Sequence, residues 1–161
     1  MNIRVGFGYD MHRFQDGREL WIGGVKIDYP KGLDGHSDAD VLIHAICDAL
    51  LGAANLRDIG YNFPDNAMEY KNIGSKILLE RTIDLLNENN FFIGNIDTTI
   101  CAEMPKLNPY IPEIQKTLAS ILAISTDCIS VKATTSEKMG FVGREEGITA
   151  YAVVLIQKKS K

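Results

Sequence analysis

Gly35-His36-Ser37-Asp38-Ala39-Asp40-Val41-Leu42-Ile43-His44 decides how the rest of the chain is read. Short oxygen side chains (Ser37, Asp38, Asp40) stand before an apolar run, and such side chains cap the free amides of a helix's first turn. A helix is therefore expected from Val41 to Ala54, with His44 one turn inside it. Upstream, Ile3-Val5-Phe7-Tyr9 alternates as a strand does, and the same alternation carries Asp10 and His12 out on one face. Gly6 and Gly8 within that strand allow another backbone to come close. Two imidazoles and a carboxylate are the N and O donors that suit a zinc-like ion, with a coordination position left for substrate. Asp10, His12 and His44 are read as that set. A lone histidine is more often a hydrogen-bonded surface residue, and His36 by itself reads that way. Asp48, four residues past His44 on the same helical face, is either a partner for its imidazole or a solvated carboxylate.

The 161 residues fit one domain, taken as 1–161, large enough to bury a single core. The net charge of −4 and the scattered lysines and arginines argue against a nucleic-acid surface. Cys47, Cys101 and Cys128 form an odd set without a C-x-x-C pair, which fits a reduced, intracellular protein. No apolar run is long enough to span a bilayer and no leader is evident, so no membrane partner is expected. The expected location is cytoplasmic, or an organellar stroma after removal of a transit peptide.

Gly23-Gly24 between Leu20-Trp21-Ile22 and Val25-Lys26-Ile27 reads as a tight hairpin, followed by a loop at Tyr29-Pro30-Lys31-Gly32. The stretch 58–67 reads as a loop of mixed aromatic and carboxylate character, suited to a polyol. Ser75 is read as the cap of a helix to about Asn89. Ile96 to Ile100 is a strand, a helix starts near Ile111, and Ile129–Ala133 and Ile148–Gln157 are strands. The expected class is α+β (mixed α/β), with a mixed, mainly antiparallel sheet covered by helices on one face. Thr134-Thr135-Ser136 offers hydroxyls to a phosphate, but Glu137 beside them needs a cation, such as magnesium or manganese, to intervene.

Five words stand in one order: Gly8 to His12, Gly35 to Val41, Asp58-Ile59-Gly60 with Phe63-Pro64-Asp65, Pro105-Lys106, and Lys132 to Arg144. Together they resemble the 2-C-methyl-D-erythritol 2,4-cyclodiphosphate synthase family of the non-mevalonate isoprenoid pathway, from Arg4 to about Ile156. The resemblance implies a homotrimer with active sites at subunit junctions. It implies a lyase that cyclises a cytidine diphosphate substrate, 4-diphosphocytidyl-2-C-methyl-D-erythritol 2-phosphate, and releases cytidine monophosphate. Asp10, His12 and His44 would hold a zinc-like divalent cation (zinc, or manganese or cobalt), and Glu137 a magnesium or manganese on the diphosphate. His36 and Thr135 match transition-state stabilisers. Met11 and Ser37 lie beside the substrate. Asp58, Ile59, Gly60, Phe63, Pro64, Asp65, Asn66 and Ala67 match the segment facing the methylerythritol. Ala102, Glu103, Met104, Pro105, Lys106, Leu107 and Asn108, with Thr134 to Glu137 (Ser136 included), match the cytidine and diphosphate pocket. Phe141 and Arg144 match residues near a trimer core that can hold an isoprenoid diphosphate.

Two positions depart from the family pattern. Ala39 stands where many members have glycine and is expected to be harmless on a capped helix start. Glu145 stands where some have glycine and is expected to oppose the core anion by sitting beside Arg144. From the residues alone, two other readings stay open: a metal-dependent phosphohydrolase that uses water, and a noncatalytic metal or nucleotide-binding module.

Overall fold

Gly6 and Gly8 have no room for a side chain. In the computed structural model, which describes residues 2–35, 37–64 and 73–159, they lie in strand β1 (Ile3–Asp16) beneath helix α1 (Val41–Ala54). A Cβ on Gly6 would fall 1.9 Å from the Ala49 carbonyl oxygen, and one on Gly8 would fall 1.9 Å from that of Ala45. The backbone that approaches these glycines is thus a helix, and α1 meets the strand with its alanines. Nothing larger than hydrogen separates the two main chains at these points.

Around this contact lies a five-stranded sheet in the order β4-β1-β7-β5-β6. Strand β7 (Gly147–Lys158) is central and pairs antiparallel with both β1 and β5 (Phe91–Cys101). Strand β6 (Ile129–Thr134) runs parallel to β5, and the short β4 (Lys31–Leu33) closes the other edge. A separate hairpin joins β2 (Leu20–Ile22) to β3 (Val25–Ile27) through Gly23 and Gly24, both at positive φ as a primed turn requires. Helices α3 (Ser75–Glu88) and α4 (Ile111–Leu122) complete the layer that α1 begins, while α2 (Ile59–Asn62) and α5 (Gly140–Gly143) are single turns.

The layers divide the strands by face. Ala150, Ala152, Val154 and Ile156 of β7 are fully buried together with Ile43, Ile46 and Leu50 of α1. On the opposite face Val5 and Phe7 are 67% and 63% exposed, with Tyr9, Met11, Tyr151 and Val153 also open. The result is a single-domain α+β fold with a mixed sheet and helices on one face. Among the described residues no helix is long and apolar enough to cross a membrane.

Four local expectations change. Lys31 and Gly32, read as part of a loop, belong with Leu33 to an edge strand on β1, because Leu33 buries completely opposite Phe14. Strand β5 begins at Phe91 rather than Ile96; an irregularity between Ile93 and Asn95 breaks the alternation that would have announced it. The stretch after Asp58 holds a helical turn, with the Asp58 carboxylate accepting from the Tyr61 amide at 2.8 Å. Ser75 makes no cap bond in its own helix, whose N-cap is Gly74.

The terminal amides of α1 are met by Asp40, fully buried, whose carboxylate accepts from Ile43 N at 3.1 Å and also from Gly23 N at 2.8 Å and Gly24 N at 2.6 Å. One side chain thereby pins the hairpin turn to the start of the helix. Burial pushes the Asp40 pKa up, and the three amide bonds pull against that push.

Gly8→Ala is expected to destabilise the protein by roughly 3 kcal/mol, because the new methyl meets backbone that cannot rotate away. Chemical denaturation measures it; a loss below about 1 kcal/mol would mean that α1 lifts freely from β1.

Candidate metal centre

Asp10 and His12 sit two apart on β1, and α1 resting on that strand delivers His44 beside them. Asp10 Oδ2 lies 3.0 Å from both His12 Nε2 and His44 Nδ1, and the two nitrogens are 3.3 Å apart. A tetrahedral ion bound about 2.0–2.1 Å from each donor would space them about 3.3 Å apart. The three half-buried side chains are already close to that spacing.

The orientation of His12 is set from outside the triangle. Its Nδ1–H donates to the Asp34 carbonyl at 2.7 Å, so in the neutral ring the lone pair of Nε2 faces Asp10 and His44. The far nitrogen of His44, Nε2, lies 3.1 Å from Ser75 Oγ. The charge follows the geometry. Burial works against ionised Asp10, but hydrogen bonds from His12 and His44 and their coulombic pull outweigh it, and its pKa falls to about 2. For His12, burial would lower the pKa, yet the Asp10 carboxylate and Asp34 raise it above the usual imidazole value. The triangle attracts positive charge, and a divalent cation is the ligand its donors fit.

Asp48 turns elsewhere. Its carboxylate accepts from Ile59 N at 2.9 Å and ties α2 to α1, so it is not freely solvated, and it acts on His44 through charge. Ser37 and Asp38 follow Gly35 in the loop before α1; Ser37 has a positive φ and its carbonyl accepts from Arg18. His36, Asp65, Asn66 and Ala67 lie outside the described residues. Phe63, expected to face a substrate, is buried in the core at 8% exposure, whereas Asp58 and Gly60 are exposed and Ile59 and Pro64 half-buried.

A second concavity of about 200 Å³ is lined by Ala102, Pro105, Lys106, Leu107, Asn108, Ala133, Thr134 and Thr135. Glu103 and Met104 do not line it; Glu103 accepts from Ser136 N at 3.2 Å and so holds the loop after β6. Glu137, with φ +53, accepts from the Thr135 hydroxyl at 3.3 Å. A third hollow of about 390 Å³ joins Met11, His12, Arg13, Asp34, Phe141 and Glu146. Arg144 is not among its lining residues: its guanidinium makes a two-point pair with Glu146, Nε to Oε1 at 2.6 Å. The neighbour that neutralises Arg144 is therefore Glu146, not Glu145.

Sequence reasoning missed Ser75 and Asp34. A backbone carbonyl carries no sequence signal, and a serine opening a helix looks like an ordinary cap.

A family model described as the YgbB family matches residues 3–157. A 2-C-methyl-D-erythritol 2,4-cyclodiphosphate synthase of Bacteroides fragilis is 65% identical over 158 residues, 98% of this chain and 99% of the relative. Among solved structures, the bifunctional IspDF of Campylobacter jejuni superposes with a TM-score of 0.93 at 42% identity; the match covers 98% of this chain and 43% of that longer one. The IspF of Plasmodium falciparum, solved as a CDP complex, gives a TM-score of 0.87 at 36% identity over 99% of both chains.

Because His12 must lose its proton to bind a metal, and its pKa is raised above the ordinary imidazole value, zinc affinity is expected to fall as the pH drops through and below that raised value, approaching tenfold per unit. Competition titration against a chromophoric chelator measures this. An affinity flat across that drop in pH would show that His12 is not a ligand.

Proposed function

The chain belongs to the YgbB family, and from that membership we propose that it closes 4-diphosphocytidyl-2-C-methyl-D-erythritol 2-phosphate to the 2,4-cyclodiphosphate, supplying isoprenoid precursors. The observation that carries the reading is the donor triangle of Asp10, His12 and His44, spaced for a small divalent ion, in a chain 65% identical to a cyclodiphosphate synthase.

In this reaction an oxygen of the substrate's own 2-phosphate attacks the β-phosphorus. The bond from that phosphorus to the oxygen bridging the α-phosphate breaks, and cytidine monophosphate leaves with the bridging oxygen. No protein nucleophile is required, so the chain's work is to fold the substrate in line and meet its charge. A zinc-class ion, zinc or manganese or cobalt, held by Asp10, His12 and His44 would supply Lewis-acid stabilisation of the phosphate oxygens.

The remaining roles fall to the chain itself. Lys106, exposed at the lip of the 200 Å³ concavity, offers a cation to the diphosphate, and Thr134 and Thr135 offer hydroxyl donors. The concavity suits the cytidine end, in line with the CDP bound by the Plasmodium falciparum relative. Glu137, next to a Ser136 steadied by Glu103, is read as holding a magnesium or manganese that the diphosphate brings. His36 and Thr135 are assigned to the transition state.

The unit that acts is read as a homotrimer of the 1–161 domain. Two features support this: the open apolar face of β1 and β7, where Phe7 and Tyr9 meet Tyr151 with ring centroids 6.5 and 5.1 Å apart, and the absence of any lining residue shared, among those described, between the concavity and the donor triangle. A site at the junction of two copies would join one chain's triangle to its neighbour's pocket. The hollow beside Phe141 is read as the entry for an isoprenoid diphosphate, with Arg144 paired to Glu146. A soluble, cytoplasmic enzyme is the matching location.

Phosphorus NMR of protein with substrate and magnesium, before and after zinc is stripped and restored, tests the reading. The expected result is cyclic diphosphate and cytidine monophosphate in equal amounts, lost on stripping and regained on restoring. Inorganic phosphate in place of the cycle would assign a hydrolase instead.

A further inference from the structure

Ser75 opens α3, is 1% exposed, and gives nothing to its own helix. Its hydroxyl points instead into a short chain of polar groups that ends on a ring of the donor triangle. Ser75 O–H donates to Asp38 Oδ1, Ser75 N–H donates to Asp38 Oδ2 at 3.2 Å, and Ser75 Oγ lies 3.1 Å from His44 Nε2.

The direction of the last bond follows from counting hydrogens. A serine hydroxyl has one, and an ionised carboxylate can only accept. With the hydrogen on the Asp38 side, Ser75 has only lone pairs to offer His44, so Nε2 must carry the ring's proton. With one proton held on Nε2, the proton that Nδ1 shares with Asp10 Oδ2, 3.0 Å away, is the one a cation displaces, and the lone pair it frees faces Asp10 together with His12 Nε2, 3.3 Å away. We propose that Asp38 and Ser75 are positioning residues that fix His44 in the tautomer and ring orientation needed to bind metal through Nδ1, an inference that rests on reading the triangle as a metal site.

The two aspartates of the Ser37–Asp40 stretch thus part company. Asp40 caps α1 and clips the hairpin. Asp38 reaches across to the first residue of α3, and through it the loop before α1 and the start of α3 act on the same histidine. Removing either group leaves the three donors in place but frees the ring. In Ser75→Ala, Nε2–H loses its acceptor. In Asp38→Ala the hydroxyl can turn and donate to Nε2, which favours the proton on Nδ1, where it blocks metal.

Two measurements on Ser75→Ala, Asp38→Ala and Ser75→Thr test this. In the metal-free proteins at alkaline pH, two-bond proton–nitrogen correlation spectra report which ring nitrogen of His44 is protonated. Zinc and cobalt affinities come from chelator competition. The wild type is expected to hold Nε2–H. Asp38→Ala is expected to shift toward Nδ1–H, and both alanine variants to lose about 10- to 100-fold in metal affinity. Ser75→Thr, which keeps the hydroxyl, should recover most of it.

If His44 keeps its tautomer in both alanine variants, or affinity falls with no change of tautomer, the positioning role is overturned. A wild type that binds neither zinc nor cobalt would sink the metal reading itself, while the tautomer spectra would still decide the orientation of His44. Should Ser75→Ala fail to fold, Asp38→Ala carries the same two readouts.

Discussion

Everything at the candidate site depends on two backbones lying in contact. Helix α1 can rest on β1 only because Gly6 and Gly8 present no side chain to the carbonyls of Ala49 and Ala45. That contact sets the height of the helix above the sheet, and the height decides whether His44 reaches Asp10 and His12. Asp40 adds the second constraint by holding the first turn of the helix and the Gly23-Gly24 turn with one buried carboxylate. Sliding or lifting α1 would therefore break the amide bonds to Asp40 as well as packing, so the histidine rides on a firmly held helix.

The three donors brought together this way repel one another unless a cation joins them. The Asp10 carboxylate, its pKa lowered to about 2 by hydrogen bonds from His12 and His44, and the raised His12 pKa express the same demand for positive charge, which protons or a metal ion can meet. Supporting groups come from separate elements: the Asp34 carbonyl behind His12, and Ser75 behind His44. While the helix-covered face of the sheet builds this site, the opposite face leaves Val5, Phe7 and Val153 to solvent, an apolar area consistent with association of copies.

Much of this was legible in the sequence, for identifiable reasons. Alternation placed Asp10 and His12 on one face, the capping residues announced α1 with its correct ends at Val41 and Ala54, and paired glycines marked the hairpin. What escaped notice had no periodic signal. A three-residue edge strand is too short to alternate, and β5 hid its first half behind an irregularity. Asp38, Asp48 and Ser75 looked like caps or surface groups because their partners are distant in sequence: Asp38 and Ser75 are 37 residues apart. The resemblance supplied the substrate and the trimer, which no pattern of apolar residues encodes. It also flagged Ala39 and Glu145, and the backbone explains both: each has positive φ, 51° and 58°, where glycine is at ease. Ala39 is thus not a neutral member of a capped helix start; it holds a left-handed conformation just before the cap.

The most direct measurement is anomalous diffraction at the zinc edge from crystals grown with zinc. The account predicts one strong peak about 2.0–2.2 Å from Asp10 Oδ2, His12 Nε2 and His44 Nδ1 together. A peak against His44 Nε2, or a zinc-loaded crystal with no peak inside the triangle, would contradict it.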